Sequence, residues 1–114
     1  MLSQPTPEVD ALEGDRLVRE GAVLLDVREL DEWAVGHAPA AAHLPLGSLG
    51  SAPVETWAGR RVVVICRSGN RSRTATDALL ARGVDAVNLA GGMRAWEVCG
   101  LPVVTSTGAP GRVA

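Results

Sequence analysis

The sequence predicts an α/β fold in which helices flank a mostly parallel central sheet of about five strands. Segments with apolar residues at helical spacing alternate with short apolar runs along most of the chain. Two of these runs, residues 22–25 and 62–65, contain no polar side chain, which is typical of strands buried on both faces of a parallel sheet. A length of 114 residues fits one domain of this architecture.

The charge of the chain is nearly balanced, with a formal net charge of −2 at pH 7. This balance argues against a general nucleic-acid-binding protein. All eleven basic residues are arginines, and five of them lie within residues 60–73. The positive charge is therefore concentrated in one stretch of the chain.

The chain contains two cysteines and two histidines. Because Cys66 and Cys99 do not form a Cys-x-x-Cys pair, the sequence offers no zinc-binding set, and we expect neither a metal nor another cofactor. No apolar run approaches the roughly 20 residues that a membrane-spanning helix needs. Two cysteines without a signal-peptide pattern favour the reducing cytoplasm as the location.

We expect a short edge strand near the start of the domain, followed by its first helix. Residues 1–7 contain two prolines, so we expect a flexible lead-in before a domain that spans residues 8–104. Asp10 followed by Glu13 is a capping-box pattern, and it predicts the start of a helix over residues 11–20.

The strand predicted for residues 22–28 ends in two charged residues. Asp26 and Arg28 lie at its carboxyl end, where open α/β sheets place their sites, and side-chain alternation puts both on one face. We expect them to form an ion pair that supports the loop following Cys66, with direct substrate contact as the alternative. A short helix over residues 29–36 follows.

The inner face of that short helix is predicted to hold Leu30, Trp33 and Ala34. His37 comes directly after it. We expect the His37 ring to bond to nearby backbone, with a general-base role as the alternative. A variable loop with one helix over residues 53–58 then leads to the central strand.

Residues 60–74 form the stretch around which the rest is organised. A buried strand delivers Cys66 to its carboxyl end, a polar loop with one glycine follows, and a helix is predicted from Ser72 to Leu80. Backbone N–H groups and the helix dipole at such a turn stabilise an anion, and therefore a nucleophilic thiolate. The predicted substrate-binding residues are Arg67, Ser68, Gly69, Asn70, Arg71 and Ser72. The alternative is a buried structural cysteine.

The Cys-Arg-Ser-Gly-Asn-Arg-Ser run resembles the active loop of the rhodanese family of sulfurtransferases. Four residues separate Cys66 from Arg71, whereas cysteine-dependent phosphatases have five, because their loop wraps a phosphate. Residues 26–45 are similar to a first family signature, in which Asp-Val-Arg precedes a glutamate with an aromatic residue and then Gly-His-x-Pro. Ala40 stands where the family has glycine.

A second family signature is similar to residues 91–104, with two glycines, a tryptophan and then Gly-x-Pro-Val. The resemblance implies that Gly91 and Gly92 let the backbone pass close to the active loop. It also implies that Trp96 anchors its helix in the core. Cys99 is either a resolving cysteine that could pair with Cys66 or a small apolar filler.

The resemblance implies a single-domain sulfurtransferase that carries sulfur as a persulfide on Cys66. Its donor would be an anion such as thiosulfate, and its acceptor cyanide, a thiol or a sulfur-carrier protein. Arg67 would attract the donor, whereas Arg71 could do the same or could brace the loop by pairing with Glu32. We expect a monomer or a weak dimer.

Two other classes of protein remain open at this point. The first is a non-catalytic binding or regulatory module on the same fold, and the second is a cysteine phosphatase or arsenate reductase. Residues 105–114 are rich in Gly, Pro, Ser and Thr, and we expect a disordered tail.

Overall fold

The structure is a computed structural model that describes residues 5–114. Its strands are β1 (Glu8–Val9), β2 (Val23–Asp26), β3 (Ala42–His43), β4 (Arg61–Ile65) and β5 (Asp85–Leu89). They form one five-stranded sheet in the order β1-β5-β4-β2-β3, and each neighbouring pair among the described strands is parallel. The predicted α/β fold is therefore confirmed.

Four α-helices are present in residues 5–114: α1 (Ala11–Arg19), α2 (Leu30–Val35), α3 (Asn70–Ala81) and α4 (Gly92–Val98). The side chain of Asp10 accepts a hydrogen bond from the backbone of Glu13 at 2.8 Å and caps α1, as its pattern predicted. The helix predicted for residues 53–58 is replaced by two 3-10 helices, Leu46–Ser51 and Val54–Trp57. Pro53 separates them because it lacks a backbone donor.

The core lies on both faces of the sheet, and β4 in its centre divides it. Val62 and Val64 pack into the cluster that includes α3, whereas Val63 and Ile65 pack into the cluster that includes α1 and α4. All four side chains are 0% exposed. The unbroken apolar run therefore reflects a strand that is covered on both sides.

The structure contradicts the inner face that was predicted for α2. Leu30 is 66% exposed, Ala34 is exposed, and α2 has no buried residue. The helix is held by polar contacts, because the Arg28 guanidinium donates to the carbonyl oxygens of Glu32 at 3.4 Å and Gly36 at 2.7 Å. Helical spacing of apolar residues was not enough to identify its buried side.

Ala40, which stands where the family signature has glycine, causes no backbone strain. Within residues 5–114, every residue with a positive φ is a glycine, so the turn that contains Ala40 does not need the left-handed conformation. The missing glycine therefore leaves the local fold intact.

Residues 105–114 differ from the expected disordered tail, because they fold back on the domain. The backbone N–H groups of Gly111 and Arg112 donate to the carbonyl oxygens of Val103 at 2.9 Å and Val35 at 3.2 Å. Val113 packs against the core cluster. The composition suggested disorder, but these backbone groups find partners and an apolar side chain is partly buried. Of the lead-in predicted for residues 1–7, residues 1–4 lie outside the described part.

Candidate active site

Cys66 lies directly beyond the carboxyl end of β4 and is 1% exposed. The N-terminus of α4 holds the chain at this point. Backbone N–H groups of Met93 and Arg94 donate to the carbonyl oxygens of Cys66 at 2.7 Å and Arg67 at 3.1 Å. Two consecutive carbonyl groups of the loop are thus fixed by another element.

This close approach explains the pair of glycines before α4. A Cβ atom on Gly92 would lie 2.7 Å from the carbonyl carbon of Arg67, and the φ of Gly92 is +58°. A side chain would therefore displace the loop and strain the backbone. Gly91 has a φ of +80° and caps the helix. The structure places both glycines against or beside the active loop.

The sulfur of Cys66 is surrounded by hydrogen-bond donors. The backbone N–H of Gly69 lies 3.1 Å from Sγ, and the Oγ of Ser72 lies 3.2 Å from it. Burial raises the pKa of the Cys66 thiol, but hydrogen bonds from the side chain and backbone of Ser72 and from the N–H groups of Gly69 and Ser68 outweigh it. The pKa consequently lies below its ordinary value of 9.0, which favours the thiolate.

Arg71 and Glu32 form a two-point ion pair across the loop. The guanidinium donates to the two carboxylate oxygens at 2.6 and 2.8 Å. The hydrogen bonds from Arg71 lower the pKa of Glu32 to about 2, although partial burial opposes them. Of the two roles considered for Arg71, the structure therefore places it in the geometry of a brace.

Replacing Glu32 by glutamine is expected to lower the free energy of unfolding by about 1 kcal/mol at neutral pH, because a partly exposed bidentate pair is lost. Glu32 has a lowered pKa in the folded state, so its contribution is present above its ordinary value of 4.5 and is lost as the pH falls through about 2.

Urea denaturation of wild type and Glu32→Gln at pH 7, 4 and 2.5 would measure this difference. The gap in unfolding free energy should narrow as the pH falls. Glu55→Gln, at an exposed carboxylate outside the site, serves as the matched control. A gap that is constant with pH would contradict the expected ionic contribution of Glu32.

A buried ion pair lies beneath the site at the end of β2. The side chains of Asp26 and Arg28 are 0% exposed, and the Arg28 Nη2 lies 2.8 Å from the Asp26 carboxylate. Arg28 also donates to the backbone of α2, which carries Glu32. The pair therefore connects the sheet to the helix that braces the loop.

The His37 ring lies outside the sulfur environment. Its Nδ1 lies 2.8 Å from the carbonyl oxygen of Trp33, and the two rings stack with centroids 3.6 Å apart. The ring of His43 also stacks on Trp33, with centroids 4.8 Å apart, and its Nε2 lies 2.8 Å from the Arg28 carbonyl oxygen. This is the geometry of structural support, without a contact to Cys66 among the described hydrogen bonds.

The remaining predicted site residues fall into two groups. Ser68 in the loop and Asn70 at the start of α3 are exposed, and the Arg67 Nε donates to the backbone oxygen of Ala114 at 2.7 Å. Trp96 is buried in the core, with its Nε1 donating to the Pro102 carbonyl oxygen at 2.9 Å. The structure therefore separates a loop that surrounds the sulfur from a tryptophan that anchors α4.

Sequence reasoning missed Asn88, a polar residue in β5 that is 0% exposed. Its side chain contacts Ser72 and the carbonyl oxygen of Gly69. Ser72 in turn contacts the Cys66 sulfur, so Asn88 reaches the sulfur through one intervening side chain. The signal was present, because Asn88 interrupts an otherwise apolar run at residues 86–89. A buried amide in a central strand indicates a specific set of hydrogen-bond partners.

Cys99 is exposed and free, so it is not the apolar filler that was considered. Among residues 5–114, no three His, Cys, Asp or Glu side chains form a group that could hold a metal ion. Over the same residues, no helix has the length and apolar character needed to cross a membrane.

The family model of the rhodanese-like domain matches residues 10–99. An uncharacterised protein from Synechocystis is 37% identical over 93 residues, which cover 81% of this chain and 52% of that protein. The chain thus spans about half the length of this curated relative.

Two solved structures show the same architecture. A rhodanese-related protein from Thermoplasma volcanium is 28% identical with a TM-score of 0.79, and the match covers 86% of this chain and 97% of that one. A thiosulfate sulfurtransferase from Pseudomonas aeruginosa is also 28% identical with a TM-score of 0.79, over 96% of this chain and 22% of that one.

Proposed function

The chain belongs to the rhodanese-like domain family, and from this premise we propose that it is a sulfurtransferase that carries sulfur as a persulfide on Cys66. The observation that carries the proposal is the position of the Cys66 Sγ, which receives the Gly69 N–H at 3.1 Å beside the N-terminus of α3. A thiolate held in that way is a nucleophile that needs no separate base.

The first half of the reaction loads the enzyme with sulfur. The thiolate of Cys66 attacks the outer, sulfane sulfur of thiosulfate, and an S–S bond forms as the S–S bond of the donor breaks. The electron pair of the broken bond leaves with sulfite. The products are sulfite and the Cys66 persulfide, and no oxidant or reductant is consumed.

The second half of the reaction unloads the enzyme. An acceptor nucleophile, cyanide in an assay, attacks the outer sulfur of the persulfide and takes it as thiocyanate. The electron pair of the cleaved bond returns to the Cys66 Sγ and restores the thiolate. A cellular thiol or a sulfur-carrier protein would take the place of cyanide.

The loop supplies two kinds of electrostatic support. The N–H groups of Ser68, Gly69 and Ser72 stabilise negative charge on the Cys66 sulfur in the thiolate and in the persulfide. Arg67 is partly exposed, and its hydrogen bond to Ala114 lies at the surface, so its guanidinium would attract the anionic donor. Arg71 is engaged with Glu32 and keeps the loop in shape.

Intact-protein mass spectrometry after incubation with thiosulfate tests the proposal directly. We expect a gain of about 32 Da, one sulfur atom, after the excess reagent is removed, and a return to the original mass on addition of cyanide. Cys99→Ser should show the same gain, which would assign the sulfur to Cys66. An unchanged mass with thiosulfate and with mercaptopyruvate would favour a binding module instead.

The partners follow from this chemistry. The donor is a small sulfur anion, and the acceptor is cyanide, a thiol or a sulfur-carrier protein. We propose a cytoplasmic location, because free thiols and persulfides persist in a reducing compartment. A monomer or a weak dimer satisfies this function, since Cys66 and its donors come from a single chain.

A further inference from the structure

Asn88 connects three parts of the site without touching the sulfur. Its Nδ2 lies 3.2 Å from the carbonyl oxygen of Gly69 and 2.8 Å from the Glu8 carboxylate. Its Oδ1 forms a short hydrogen bond with the Oγ of Ser72. It is therefore a fully buried amide that bonds to the loop, to β1 and to α3.

The orientation of this amide is fixed by its neighbours. The Gly69 carbonyl oxygen and the Glu8 carboxylate are both hydrogen-bond acceptors, so the Asn88 NH₂ group must face them. The Asn88 Oδ1 must then face Ser72. An amide turned the other way would place its oxygen against two acceptors, which is unfavourable in a buried site.

The Ser72 hydroxyl has one proton and two neighbours that can use it. The Asn88 Oδ1 can only accept, so the short contact between Ser72 and Asn88 requires the hydroxyl to donate to the amide. The 3.2 Å contact with Sγ can then hold a hydrogen bond only if the Cys66 thiol donates to Oγ. This arrangement belongs to the protonated cysteine.

We propose that Asn88 is a positioning residue whose Oδ1 accepts the Ser72 hydroxyl hydrogen bond while Cys66 is protonated and loses that hydrogen bond to the sulfur when the thiolate forms. On ionisation, Sγ becomes an acceptor only, the hydroxyl rotates towards it, and the Asn88 Oδ1 loses its donor. The amide oxygen and the thiolate thus compete for one hydrogen bond from the Ser72 hydroxyl. On ionisation the S–H bond of Cys66 breaks, its electron pair stays on Sγ and the proton passes to solvent. The O–H bond of Ser72 stays intact, and only its hydrogen-bond partner changes.

The competition predicts in which direction the pKa of Cys66 changes when Asn88 is replaced. Removing the Asn88 acceptor leaves the Ser72 hydroxyl free to donate to the thiolate, so the thiolate becomes more favourable. The effect of this hydrogen-bond exchange on turnover rests on the proposed function, in which Cys66 is the nucleophile. The exchange itself is inferred from the geometry of Asn88, Ser72 and Cys66.

Several charged groups face this part of the site. Arg71 lies on the loop side with Glu32 of α2, and both are held in their ion pair. Glu8 of β1 faces Asn88 and also contacts Arg73 at 3.4 Å. A substitution of Asn88 by an uncharged residue leaves these four charges in place but also removes the Nδ2 hydrogen bonds to Glu8 and Gly69. The comparison therefore needs a second arm without the Ser72 hydroxyl.

A double-mutant cycle in the Cys99→Ser background tests the proposal. The pKa of Cys66 would be measured from the pH dependence of alkylation by iodoacetamide for the parent, Asn88→Leu, Ser72→Ala and the double variant. With Ser72 present, Asn88→Leu is expected to lower the pKa by roughly 0.5 to 1, the effect of one redirected hydrogen bond. With Ser72 replaced, the same change should move it by less than about 0.3.

An equal change in both backgrounds would overturn the proposal, because Asn88 would then act through the Gly69 carbonyl and the loop. A rise in pKa with Ser72 present would overturn it as well. Should Asn88→Leu fail to fold by circular dichroism, Asn88→Ala takes its place with the same expected sign. Alkylation does not depend on sulfur transfer, so this result is independent of the mass measurement that tests the proposed function.

Discussion

Replacing Cys66 by serine is expected to reduce the proposed sulfur transfer from thiosulfate to cyanide by a factor on the order of 10³ or more, because loss of the proposed covalent nucleophile removes both half-reactions. A serine hydroxyl is protonated at neutral pH and does not form a stable sulfur-carrying intermediate. Its oxygen would still sit among the N–H groups that surround Sγ, so the fold should be retained. Steady-state thiocyanate formation measures the effect.

Cys99→Ser is the matched control, since it makes the same chemical change at an exposed position. It should keep the activity of the wild type, and both variants should unfold at urea concentrations close to that of the wild type. A Cys66→Ser protein with more than about a tenth of the parent activity would contradict the persulfide mechanism.

The outline of the fold and the position of Cys66 could be predicted from local patterns. The apolar run at residues 62–65 indicates a strand covered on both faces, and the next residue necessarily lies at its carboxyl end. Asp26 and Arg28 could be placed for the same reason, because parallel strands end at one edge of the sheet. These inferences need only chain order and the alternation of side chains.

The contact between Asn88 and Ser72 could not be predicted in the same way. It depends on the register in which β5 pairs with β4, where Asn88 lies opposite Val64, two residues before Cys66. Apolar runs do not fix the register of parallel strands buried on both faces. The ordered path of residues 105–114 depends similarly on partners distant in sequence, such as Val35.

The described contacts form a chain of support from the sheet to the sulfur. Arg28 is held by Asp26 and donates to the carbonyl oxygens of Glu32 in α2 and of Gly36 just beyond it. α2 in turn presents the Glu32 carboxylate to Arg71. The buried guanidinium of Arg28 thus supports the partly exposed ion pair between Glu32 and Arg71. Perturbing Arg28 should affect both the stability of the domain and the shape of the loop.

Arg28→Met is accordingly expected to lower the free energy of unfolding by about 3–5 kcal/mol, because it leaves the Asp26 carboxylate buried without its partner. This is a large part of the roughly 5–15 kcal/mol that stabilises a typical domain. Urea denaturation at pH 7 measures it. Arg61→Met is the matched control, since the Arg61–Asp85 pair is exposed and its loss should cost less than about 1 kcal/mol.

The double variant Asp26→Leu/Arg28→Met distinguishes a stranded charge from lost packing. If the cost of Arg28→Met comes from the unpaired carboxylate, removing that carboxylate as well should recover at least about half of the lost free energy. Recovery should remain incomplete, since the carbonyl oxygens of Glu32 and Gly36 still lack the donors that Arg28 gave them. A double variant less stable than Arg28→Met would show that the side chain of Asp26 supports the fold independently of Arg28.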